Sequence, residues 1–115
     1  MSKKQRQAAA HVAGQWWADR LDPQHAEKRQ AFAEAIERLV ADALKREKFV
    51  RLESDYDPQG LLLDAVREIG IECRGFLGSS DGILPRKTYI LVRPDRITPK
   101  EGYGNWTAEI PVTPL

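Results

Sequence analysis

"SSDGILPRKTYILVRPD", residues 79–95, decides what kind of fold this chain adopts. Gly82 tolerates positive φ, Pro85 stiffens the entry, and the aromatic and aliphatic run from Tyr89 to Val92 has the composition of a strand. Successive strand side chains point to opposite faces. Lys87, Tyr89 and Leu91 are therefore expected on one side, and Arg86, Thr88, Ile90 and Val92 on the other, which keeps the two adjacent cations out of one patch. "IECRGFL", "ITPK", "EGYGN" and "WTAEIPV" surround this stretch as further short pieces separated by turn residues. The last third of the chain reads as a small antiparallel sheet.

Upstream of Gly70 the apolar period is helical. Ala9, Val12, Ala13, Trp16, Trp17 and Leu21 mark a first helix over Ala8 to Leu21. Asp22 then caps and Pro23 opens a second helix reaching about Lys48, with Phe32, Ile36, Leu39, Val40, Ala43 and Leu44 on one face. "KREKFVRLESDYDPQG" ends it, and Asp57-Pro58 repeats the cap-then-proline signal before a third helix that stops at Gly70. The expected fold is α+β, with three N-terminal helices packed on a three- to four-stranded antiparallel sheet. Residues 1–115 form a single domain, frayed at 1–7 and 113–115.

A chain of 115 residues with 42% apolar and 30% charged side chains is a globular composition for one core. Its net charge of +1 argues against a strongly basic nucleic-acid binder and against an acidic mimic of one. Cys73 is the only cysteine, which excludes an intramolecular disulfide and a multi-cysteine zinc site, and fits a reducing cytoplasm. No apolar run has the length of a membrane span and the N-terminus lacks the apolar region of a secretory signal. The expected location is the cytoplasm.

Charge is uneven along the chain. Between Arg74 and Lys100 there are six cations (Arg74, Arg86, Lys87, Arg93, Arg96, Lys100) and two anions (Asp81, Asp95), a local excess of +4. One reading places Arg86 or Lys87, Thr88 and the backbone N–H groups near Ser79, Ser80 and Gly82 around an anion. The other is a hairpin whose edge is guarded by cations. Neither GxxxxGK[ST] nor GxGxxG is present. In "KEGYGNW", residues 100–106, Tyr103 and Trp106 either present rings beside Arg96 and Lys100, as a single-stranded nucleic-acid surface does, or form a turn with a packed Tyr and a core Trp. Trp16 and Trp17 lie about 100° apart on a helix. Either one indole is partly exposed for a partner, or both pack in a wide junction.

Catalytic constellations are sparse. Asp55 and Asp57 form a DxD that hard cations favour, but Asp57 reads more simply as a helix cap. His11 and His25 stand outside any HExxH, no GxSxG occurs, and Glu68 and Glu72 lack a visible partner. A small hydrolase or metal enzyme built on Asp55, Asp57 and His25 is the least supported alternative. The expectation is a non-enzyme without metal or cofactor.

The run "GFLGSSDGILPRKTYILVRPDRITPKEGYG", with "YDPQGLLLDAVREIGIEC" upstream, resembles a pattern in small accessory proteins of tailed bacteriophages and prophages, over residues 56–104. The resemblance implies a protein that binds and inhibits or sequesters a host factor, including components of bacterial anti-phage immunity. The candidate binding residues are Arg86, Lys87, Thr88, Tyr103, Trp106, Trp16 and Trp17. The expected partner is a host protein or an anionic nucleotide, and a homo-oligomer is compatible with either. In the nucleotide alternative, Arg86, Lys87 and Thr88 hold phosphate while Tyr89, Tyr103 or Trp106 stacks on the base of a nucleotide or cyclic nucleotide.

Overall fold

A computed structural model describes residues 2–72, 83–102, 104 and 106–114. Helix α1 spans Lys3–Ala18. Ser2 caps it by accepting a hydrogen bond from the Gln5 N–H at 3.1 Å, and the Gln5 side-chain amide donates to the Pro94 carbonyl. The helix therefore starts ahead of the apolar stripe, and residues 3–7, expected to fray, are helical. Asp22 caps the next segment as expected, accepting from the Gln24 N–H at 3.0 Å. That segment, Pro23–Lys28, is a 3-10 turn broken by His25 at φ −112°, ψ 22°, and α2 runs only from Arg29 to Ala43. The long helix expected to Lys48 is thus shorter at both ends. Bonds from the Lys45 N–H to the Asp42 carbonyl and from Arg46 to Ala43 tighten its last turn.

Val50–Ser54 is a strand, β1, inside the segment read as a helix terminus. Val50, Leu52 and Ser54 are buried while Arg51 and Glu53 alternate outward. Pro58–Gln59 forms β2, paired antiparallel with β1, and α3 covers Gly60–Glu68. Gln59 occupies the cap position of α3 and makes no side-chain cap bond, so Asp57 is not the cap expected of it. Instead the Asp57 carbonyl accepts the Asp55 N–H at 3.1 Å and closes the turn between β1 and β2. A proline at the start of an edge strand removes no bond from the ladder. Gly70, at φ +81°, ends the helix as expected.

The expected "KTYILVRP" and "ITPK" strands are β3 (Thr88–Arg93) and β4 (Arg96–Lys100), and "WTAEIPV" contributes the two-residue β5 (Ile110–Pro111). Ile71 and Glu72 of "IECRGFL" are not in a strand, and the rest of that run lies outside the described residues. The sheet is antiparallel in the order β2-β1-β3-β4-β5. The fold is α+β, with five strands in place of three to four, because two strands precede Gly70. Leu52 pairs with Ile90, and Val92 lies between Val50 and Ile97, so these residues line one face. They join Trp17, Phe32, Ile36, Val40, Leu62 and Val66 in a common core. Among the described residues no helix is long and apolar enough to cross a membrane.

α1 and α2 meet at Gly14. A Cβ there would lie 2.5 Å from the Ala33 carbonyl oxygen, a backbone atom that moves only if the helix moves. Gly14→Ala is expected to destabilise the protein. Overpacking of this kind costs about 1–3 kcal/mol, against the gain of up to about 1 kcal/mol that alanine brings to a helix interior. Urea unfolding of the two proteins measures the balance, and equal or greater stability of the alanine variant would show that the close approach does not constrain the packing.

Candidate binding surface

The register that buries Leu52, Ile90 and Ile97 places a second set of side chains on the opposite face of the sheet. Glu53, Tyr89 and Lys100 form one cross-strand row, Arg51, Leu91 and Thr98 the next, and Arg93 and Arg96 a third. Across these rows stand four cations and one carboxylate. Arg51 reaches Glu53 at 3.4 Å, and Arg96 reaches Asp95 at 3.6 Å and Glu109 at 3.5 Å. Arg93, opposite a like charge, has no ion pair among the described residues.

Tyr89 is the centre of this face. The Arg51 guanidinium sits 4.7 Å from its ring centroid and Lys100 Nζ 5.1 Å from it, while Nζ also donates to Tyr89 Oη at 2.9 Å. Trp106 packs edge-to-face on Tyr89, centroids 5.5 Å apart, with Lys100 Nζ 5.9 Å from its own ring. Two hydrogen bonds of 3.0 Å from Thr107, through N–H and Oγ1, tie this segment to the Pro99 carbonyl of β4. Trp106 nevertheless remains 48% exposed, so the alternative of a core Trp in this turn does not hold.

Arg86 and Lys87 belong to a turn before β3, not to the strand. Lys87 adopts φ +54°, its N–H donates to the Asp55 carbonyl at 2.7 Å, and its ammonium pairs with the Asp55 carboxylate. This left-handed residue breaks the alternation that was expected to separate the two cations. Both approach Tyr56, Lys87 Nζ at 4.8 Å and Arg86 at 5.8 Å from the ring centroid. Thr88 is buried, its hydroxyl donating to the Arg86 carbonyl at 3.1 Å and accepting from the Gly102 N–H at 3.3 Å. It holds the turn against the end of β4 and does not face a ligand. Ser79, Ser80, Gly82 and Tyr103 lie outside the described residues.

The two adjacent tryptophans are both interior. Trp17 is fully buried and Trp16 nearly so, their rings edge-to-face at 5.0 Å. Arg20 covers Trp16 at 3.6 Å from its ring, donates to its carbonyl at 2.8 Å and pairs with Glu101 at 2.7 Å. A guanidinium stacked on the second indole lets both pack in the junction, so neither offers the partner surface considered for the first helix. Asp55 is engaged by Lys87, and among the described residues no three His, Cys, Asp or Glu side chains converge on a cation site. The groove beside the start of α1, about 680 Å³, is lined by interleaved charges including Lys3, Arg6, Glu34, Glu37, Arg38 and Asp42. It has no aromatic ring, and its four cations and three carboxylates nearly balance.

No protein-family model, curated protein or solved structure matches this chain. Acrylamide quenching checks the tryptophan placement: one accessible indole component is expected, and Trp106→Phe should remove it. Trp17→Ala should cost about 3–5 kcal/mol as a large core truncation, whereas Trp106→Ala should cost about 1 kcal/mol, its edge contact with Tyr89 being the main loss. Comparable losses for the two variants, or quenching unchanged by Trp106→Phe, would refute the assignment.

Proposed function

We propose that this chain is a non-enzymatic, phage-type accessory protein that binds a host factor and inhibits or sequesters it in the bacterial cytoplasm. Its working surface is the outward sheet face. The observation that carries this reading is Trp106, half exposed beside Tyr89 with Arg51 and Lys100 around it. Trp, Tyr and Arg are the side chains that dominate binding energy at protein surfaces, and aromatic rings reach a bound state with little loss of rotamer freedom. The phage resemblance over residues 56–104 supports the biological setting, and the scarcity of catalytic groupings in the sequence supports a binding role.

The compact-nucleotide alternative draws on Arg86 and Lys87 meeting at Tyr56. It is the weaker reading, since Asp55 neutralises Lys87 and Thr88 is buried. Capture of host components from bacterial lysate by the tagged protein tests the first reading. Loss of a hot-spot side chain costs at least about 2 kcal/mol, roughly a thirtyfold drop in affinity. Trp106→Ala and Arg51→Ala should therefore deplete the captured factor. Recovery unchanged in both variants would exclude the outward face as the working surface.

A further inference from the structure

Among the described residues, the large apolar side chains left exposed are Phe49 at 53%, Tyr56 at 43% and Trp106 at 48%. All are aromatic, and all border the same sheet. Phe49 immediately precedes β1, Tyr56 sits in the turn that follows it, and Trp106 packs on Tyr89 of β3. Here the only aliphatic side chain in the outward rows is Leu91, and it is half-buried.

Cations accompany the rings. Tyr56 has Lys87 and Arg86, Tyr89 has Arg51 and Lys100, and Trp106 shares Lys100. Arg51, Tyr89 and Lys100 stand on three neighbouring strands, about 4.8 Å apart from strand to strand, with Trp106 against the Tyr89 ring. Rings and cations set side by side on an exposed sheet face suit a flexible polyanion with flat apolar groups attached. The bases stack on rings and the phosphates meet the guanidinium and ammonium groups. A flat sheet face offers no helix or projecting ribbon for the groove of a duplex.

We infer that the ligand of the outward sheet face is single-stranded nucleic acid, held by stacking on Trp106 with Arg51 and Lys100 on the backbone. This inference rests on the reading of that face as the working surface and names the chemistry of what it binds. A net charge of +1 is no obstacle, because the outward rows of the sheet hold four cations, Arg51, Arg93, Arg96 and Lys100, against one carboxylate, Glu53.

Fluorescence anisotropy with labelled twelve-nucleotide DNA and RNA homopolymers, the matching duplexes and polyglutamate of equal charge tests it. Single strands of DNA, RNA or both should bind at least tenfold more tightly than either duplex. Trp106→Ala should weaken that binding about 5- to 150-fold, the range for one stacked base, and Trp106→Phe should restore part of it. Arg51→Ala should reduce the slope of log affinity against log salt by about 0.7, one phosphate contact on a single strand. Equal binding of duplex and single strand, or affinity indifferent to Trp106→Ala, would overturn the inference. So would binding of polyglutamate without binding of single strands. The lysate capture separates the two readings. If single strands do not bind but capture still depends on Trp106, the face is a surface for another class of partner; if capture is also indifferent to Trp106 and Arg51, the working surface lies elsewhere.

Discussion

The close approach of α1 and α2 at Gly14 and Ala33 is the constraint on which the rest of the structure depends. Ala9, Ala10 and Ala13 of α1 are fully buried small residues as well, and at Gly14 little lies between the backbones of the two helices. Trp17 of α1 and Phe32, Ile36 and Val40 of α2 share one buried core with Leu52, Ile90 and Ile97 of the sheet. α1 packs against β3 and β4, while α2 packs against α1 and α3, and α3 lies on β1 and β2.

From this packing follows the asymmetry of the sheet. With the core built on one face, strand alternation sends Arg51, Tyr89, Arg93 and Lys100 to the other. Their charges are not buried, so they carry no large desolvation penalty, and the pairs they make are of the weak surface kind, about 0–1 kcal/mol each. Trp106 is held over this face by Thr107 bonding to Pro99. The same turn chemistry at Lys87, with its left-handed backbone anchored on Asp55, brings a second pair of cations to Tyr56.

Much of the fold was legible in local sequence, because the stripes of α1 and α3, the cap at Asp22 and the Tyr89–Val92 strand are all short-range signals. β1 was not, since "VRLES" carries two large apolar residues and follows a helix with no glycine or proline to punctuate it. Its period of two was visible, but a strand this short is selected by its partner β3, about forty residues away, and not by its own propensity. Asp57-Pro58 misled for a different reason: the same dipeptide suits a helix start and the first position of an edge strand. Of the outward face, Tyr89, Lys100 and Trp106 were legible in the sequence, beside a local excess of charge. Arg51, on the other side of Tyr89, joins them only through strand pairing. The adjacent tryptophans pointed to an exposed ring, but Arg20 covers Trp16, and the exposed indole is Trp106.

The arrangement around Tyr89 also bears on how such a face distinguishes ligands. Tyr89 is fixed by strand pairing, by Trp106 against its edge and by Lys100 on its hydroxyl, so it does not reorganise on binding. Arg51, the other cation at its ring, pairs with Glu53 in a contact of the weak surface kind. A ligand therefore meets a rigid apolar centre with adaptable charge at its rim. Preorganised rings lower the entropy lost on association, while mobile cations accept phosphates or carboxylates over a range of positions. In the proposed binding role, charge at the rim would govern how fast and how salt-sensitively a partner arrives, and the half-exposed ring of Trp106 how long it stays.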